Sequence, residues 1–327
     1  MGAPGETTGP VLVCGEVRTC LLPCRDAVSA AVTERLLTLR ADERVRVSRR
    51  PNLHAVSPEV LTGVDCRLPT ANGARVRAVG TVAARASLTE GRVLQATAYF
   101  GAPAAGPDRR RPWGHYLVRP GELETLGRLP RLGVAQAFLA EHRQPGPEEL
   151  DVGSVAEGLL ATVSREHRLL DYEAPLTSPT TSLRWAALPA PDGQEARLER
   201  FTVAADGVRL VEMTVPPGTD PAALAGLTED FALHDWLLTT VVDKLDGIRL
   251  GSSDGAQALR TLRPLVDHLL HLWMPRARVE RSLGALWDVL EEEPGFSRQW
   301  RTLVQRVRDQ LALHAATPRH ELQTTGP

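Results

Sequence analysis

From Asp220 to Ala316 the chain holds four segments with apolar residues at helical spacing, and four of the six tryptophans, Trp236, Trp273, Trp287 and Trp300, lie on them. Asp220-Pro221 has the form of a helix start, an aspartate cap before a proline in the first turn. Phe231, Leu237, Leu238, Val241 and Leu245 then form a stripe at roughly 3.6-residue spacing, interrupted upstream by Gly226 and closed by Gly247. A second stripe runs through Leu259, Leu262, Val266, Leu269 and Trp273 and contains Pro264. A third runs through Val279, Leu283, Leu286 and Leu290, and a fourth through Phe296, Trp300, Leu303, Val307 and Leu311. Short connections between such helices favour antiparallel neighbours. The expectation is a C-terminal helical bundle over 218–316 with a core of its own, in which Trp273 and Trp287 are buried.

The N-terminal half reads differently. Val11–Leu22 alternates as a strand, Asp26–Arg40 as a capped helix, and Glu43–Arg50 as a second strand. Pro51–Gly73 reads as irregular. Ala74–Ala86 and Arg92–Phe100 read as a hairpin, with Val76, Ala78, Val82 and Ala84 on one face and Arg75, Arg77 and Arg85 on the other. Helices are predicted over 121–129, 131–142 and 147–164. Strands return at 182–188, 197–204 and 208–215, with turn signals at Pro191-Asp192-Gly193 and Asp206-Gly207. The fold class expected is therefore α+β with a mostly antiparallel sheet. Its parts are a tail (1–10), an α+β domain (11–120), a helical connector (121–170), a β-meander (171–217), the bundle, and a second tail (317–327). Whether the meander joins the N-terminal sheet is left open by the sequence.

Hydrophobic residues make up 43% and charged residues 24%, a globular composition. Lys244 is the only lysine and Ile248 the only isoleucine; every other basic residue is arginine. Lysine and isoleucine need A/T-rich codons, so the source genome is inferred to be GC-rich. No apolar run reaches transmembrane length and no signal-peptide pattern opens the chain, so a cytoplasmic location with reduced cysteines is expected. Residues 1–120 carry 17 basic and 10 acidic side chains, and residues 121–327 carry 21 and 30. That asymmetry points to a basic face that meets either the acidic half or an anionic partner.

The chemical motifs reduce to weak ones. Cys14, Cys20, Cys24 and Cys66, with His54, have the residue types of a zinc site but no CxxC pair. Cys14 and Cys20 would stand about 20 Å apart on one strand. Gly251-Ser252-Ser253-Asp254-Gly255 matches a nucleophile elbow in letters, but no hydrolase strand leads into it. His268 and His271, with Asp267, are spaced to share a helix edge and read as solvated. No phosphate-binding glycine loop is present, so no cofactor is implied. What remains is arginine. Arg44, Arg46 and Arg50, Arg75, Arg77 and Arg85, and Arg92 could line one sheet face and hold carboxylate or phosphate. Arg109, Arg110 and Arg111 form a separate run. Nucleic-acid sheets add stacking aromatics, and only Tyr99 is near, which argues against that class.

Two stretches carry a resemblance: Val56-Ser57-Pro58-Glu59-Val60-Leu61-Thr62-Gly63-Val64-Asp65-Cys66 and Leu233-His234-Asp235-Trp236-Leu237-Leu238-Thr239-Thr240. The chain resembles, over most of its length, an uncharacterised actinobacterial family found in a gene cassette with a variant P-loop protein and a SAM-dependent methyltransferase. The resemblance implies a protein partner, the cassette's P-loop protein foremost, and no known activity. The first expectation is a non-enzymatic interaction or scaffold protein. An enzyme or sensor for an anionic small molecule at the arginine face is the alternative, and a nucleic-acid-binding module the third.

Overall fold

The computed structural model describes residues 10–141, 143–191, 193–248 and 255–316. The N-terminal strand β1 (Leu12–Leu21) precedes α1 (Ala30–Leu37), where the Ser29 hydroxyl accepts from the Val32 N–H. Next come β2 (Arg46–Ser48), β3 (His54–Val56), β4 (Val60–Pro69), β5 (Arg75–Thr89) and β6 (Val93–Ala102). After them come α2 (Trp113–Leu117), β7 (Leu123–Thr125), α3 (Arg131–Phe138) and α4 (Val152–Ser164). Three strands follow, β8 (Thr181–Pro189), β9 (Arg197–Val203) and β10 (Arg209–Val215). The chain then turns helical: α5 (Pro221–Asp246), α6 (Gly255–His268), α7 (Gly284–Glu292) and α8 (Phe296–Ala316).

All the strands join one mixed, mostly antiparallel sheet in the order β2-β3-β5-β6-β1-β8-β10-β9, with β4 and β7 both pairing with β5. The α+β class holds. The strands of the expected meander belong to this sheet through β1 and β8, from Val13↔Ala187 to Thr19↔Thr181. They are not a meander, because β10 lies beside β8 in parallel and β9 takes the outer edge. The turn at Asp206-Gly207 makes its hairpin, with Gly207 at φ +81°. The one at Pro191 and Gly193 does not join hydrogen-bonded neighbours. Apolar content explains the exchange. Leu210, Val211, Met213 and Val215 are all buried, so β10 needs cover on both faces, whereas β9 carries Arg197, Glu199 and Arg200 and tolerates an edge.

Two further expectations are corrected. Residues 121–129 hold β7 instead of a helix: Gly121 and Gly127 sit at φ +73° and +92°, where a helix cannot pass. The i,i+3 spacing of Leu123, Leu126 and Leu129 mimics a helix stripe. The stretch read as irregular contains β3 and β4. Val64, Cys66 and Leu68 of β4 turn inward while Asp65 and Arg67 face out, an alternation present in the sequence but punctuated by Pro58, Gly63 and Pro69.

The four C-terminal helices form, but they share their core with the sheet. Phe231, Trp236, Leu262, Trp287 and Val307 belong to one apolar cluster with Val13, Val17, Trp185 and Val211 of the strands. α5 lies directly on β1, β6 and β8, with α6, α7 and α8 packed around it. α3 and α4 cover the opposite face. α5 begins as predicted, Asp220 accepting from the Ala222 N–H with Pro221 behind it, but runs unbroken through Gly226. Trp287 is fully buried; Trp273 is half-buried and stacks on Trp300, centroids 4.5 Å apart.

Gly15 of β1 is paired with Trp185 of β8, and the indole lies where a β-carbon would be, 2.5 Å from Cζ2. Gly15→Ala is expected to destabilise the fold by about 1–3 kcal/mol through overpacking, measured by denaturant unfolding.

Candidate anion-binding cleft

The α5-facing side of the sheet changes character across its width. Under the middle of α5 it is apolar. Toward β3, β5 and β6 it carries Arg85, Ser87, Thr89, Gln95 and Thr97, all buried. Over this patch the first turns of α5 present Ala222, Ala223 and Gly226, too small to fill the gap. The result is a cleft of about 460 Å³, closed on its third side by the segment after α6 that carries Arg278.

Its floor is an ion pair. The Arg85 Nε and Nη2 donate to Glu229 Oε1 and Oε2 at 2.8 and 3.1 Å, with both side chains about nineteen-twentieths buried. The Thr97 hydroxyl donates to Glu229 Oε1 at 2.7 Å, and Gln95 Nε2 donates to the Glu229 carbonyl at 2.9 Å. Burial would discharge Arg85, but the Glu229 carboxylate more than offsets it and keeps the guanidinium charged. Gly226 lies against this pair: a β-carbon at that position would touch Arg85 Nη2 at 3.4 Å.

Arg46 and Arg50 line the cleft from the edge of the sheet, both exposed. Arg278 joins them from the other side, its Nη2 donating to Asn52 Oδ1 at 2.5 Å. Among the described residues, ion pairs take up Arg75, Arg77 and Arg85 but not Arg46, Arg50 or Arg278. His54 lies between them and hydrogen-bonds Thr89 Oγ1 through Nδ1 at 3.1 Å. Burial, then the charges of Arg278, Arg85 and Arg46, push its pKa down to about 3.

The expected arginine face is thus divided. Arg46, Arg50 and Arg85 come together in the cleft. Arg75 and Arg77 lie at the far end of β5, where they pair with Glu149 and Asp65 at 3.1 and 2.9 Å. Eight residues of strand separate Arg77 from Arg85, about 27 Å. Arg44 is exposed ahead of β2. Arg92 is buried elsewhere, donating to the Arg25 carbonyl. Arg110 of the 109–111 run also reaches Asp65 and lies over the Trp113 ring. Sequence reasoning missed Arg278, which stands next to Val279 at the head of the third apolar stripe, outside the arginine groups read from the strands. It also missed Asp230, Asn52 and the role of His54.

The other motifs resolve as structure. The unbroken β1–β6 ladder, from Leu12↔Ala102 to Leu21↔Val93, keeps Cys14 and Cys20 apart. Burial raises all four thiols, Cys20 and Cys66 to about 12, so they are protonated at neutral pH and poor nucleophiles. Gly251 to Asp254 lie outside the described residues. His268 ends α6 near Arg92, and His271 is exposed. Within the second resembling stretch, His234, Asp235 and Trp236 each tie α5 to a different neighbour. His234 donates from Nδ1 to the Asp230 carbonyl at 2.7 Å and accepts from the Met274 N–H at Nε2, which fixes a neutral tautomer. Asp235 pairs with Arg209 of β10, and the Trp236 indole donates to the Pro179 carbonyl.

Both histidines set a pH dependence. Unfolded, each takes a proton below about 6.5. Folded, His54 does so only near 3, and His234 is likewise shifted down by burial. In that interval the unfolded chain binds more protons, so stability falls as pH drops from about 6.5 toward 3. Each group contributes up to about 1.4 kcal/mol per pH unit, to be measured by denaturant unfolding from neutral pH to about pH 4.

None of the described helices is long and apolar enough to cross a membrane. Compared with known protein families, with curated proteins and with solved structures, the chain has no match.

Proposed function

We propose that the protein is a binding module that takes an anionic ligand, through a carboxylate or phosphate group, in the cleft between the β2–β3 edge and the start of α5. The observation that carries this is the convergence of Arg46, Arg50 and Arg278, outside any described ion pair, on one cleft. Arginine presents planar, paired donors that match the oxygens of both groups. The fixed Arg85–Glu229 pair beneath gives the cleft a rigid polar floor. At about 460 Å³ it has the size of a small-molecule site. The interaction role implied by the resemblance is served by the same cleft where the anion is carried on another protein, such as a product of the neighbouring genes.

Charge reversal separates this cleft from the other arginines. Arg46→Glu together with Arg278→Glu is expected to abolish binding of inorganic phosphate measured by calorimetry, in the intact chain at low ionic strength. Arg75→Glu together with Arg77→Glu is expected to leave it unchanged, because those residues pair with Glu149 and Asp65 at the far end of β5. Equal loss in both variants would show attraction by overall charge and contradict the proposal.

A further inference from the structure

The cleft is not simply basic. With Arg85 and Glu229 bound to each other, the remaining charged residues that line it are Arg46, Arg50 and Arg278 against Asp220, Asp230 and Glu280. Two of the three walls carry one sign of free charge each. The sheet edge contributes Arg46 and Arg50, the start of α5 contributes Asp220 and Asp230 beside the paired Glu229, and the segment after α6 contributes both Arg278 and Glu280. A ligand that is only an anion would meet arginine on the sheet side and repulsion on the helix side.

Asp230 supplies the independent observation. It is 2% exposed. Its Oδ2 accepts from the Arg276 N–H at 3.0 Å, while its Oδ1 is buried and has no hydrogen-bond partner. The nearest ring nitrogen, His234 Nδ1, stands 3.8 Å from Oδ1 and already donates to the Asp230 carbonyl. Buried carboxylate oxygens without donors are costly and uncommon, and one in a residue that lines a cleft is a place for a ligand's donor.

We infer that the ligand is amphoteric: its carboxylate or phosphate lies at Arg46 and Arg50, and a protonated amine donates to Asp230 Oδ1. The chemical class is an amino acid or an amino-bearing phosphate ester. This rests on the anion-binding reading above and adds the amine.

The test uses two pairs of probes that differ only in the amine: L-glutamate against glutarate, and O-phospho-L-serine against 3-phosphooxypropanoate. Calorimetry on the intact chain is expected to show the amine-bearing member of at least one pair binding about tenfold more tightly or better, the range of a hydrogen bond to a charged group. Asp230→Asn should remove that preference without weakening the amine-free member. The wild-type comparison decides even where the variant does not fold. Equal affinity within both pairs would overturn the amphoteric ligand and leave anion binding standing. Binding by none of the four would overturn both.

Discussion

The buried pair of Arg85 and Glu229 is the contact on which the cleft depends. It crosses from the third strand of the sheet order to the third turn of α5, in a place where neither element has apolar bulk to offer. Two charges in such a setting cost several kcal/mol each to desolvate, about as much as their attraction returns. The return is completed by hydrogen bonds: Arg85 Nε and Nη2 form a two-pronged contact, Thr97 supplies one more donor, and Gln95 ties the helix backbone at the same residue. Packing alone would have drawn α5 down onto the sheet with large side chains. A polar contact lets the helix stand over Ala222, Ala223 and Gly226 with open space beside it.

The opposite face of the sheet repeats the device. Glu16 of β1, 2% exposed, accepts from the Ser182 hydroxyl and Arg184 Nε and pairs with Arg18. A β-carbon at Gly153 of α4 would lie 2.8 Å from its carboxylate. Each face thus joins a helix to the sheet through a glycine set against a buried charged cluster. On the α5 side Ala222, Ala223 and Gly226 of the first turns border the cleft while Leu224, Leu227 and Phe231 are buried in the core and the middle is clamped by His234, Asp235 and Trp236. One face of the first turns of this 26-residue helix thus borders the cleft while the rest carries the core.

What could be read from the sequence followed the strength of local patterning. β1, the β5–β6 hairpin, α4 and the cap of α5 were legible because their apolar spacing or capping residues are local properties. The pairing of β8 with β10 was not, since which strand takes the edge depends on comparing the burial needs of β9 and β10 across the whole sheet. β7 was misread because Leu123, Leu126 and Leu129 have helix spacing, and only the left-handed glycines on either side cancel it. The helices were legible but their core was not: Phe231 and Trp236 show that a face is buried, not that Val13 and Trp185 are what bury it. Half the arginine site could be seen from β2 and β5. The other half comes from Arg278 and Asp230, more than 140 residues on, and no spacing links them to the strands.

An anion entering this cleft would come to lie beside His54, which serves as a reporter built into it. Burial, then the charges of Arg278, Arg85 and Arg46, hold its pKa down to about 3, whereas His234 is enclosed by the Trp273 and Trp287 rings. Titrating the ¹⁵N-histidine-labelled protein with phosphate should shift the His54 ring resonances saturably and leave those of His234 in place. A His54 signal that stays fixed, or moves only in step with His234, would contradict anion binding in the cleft.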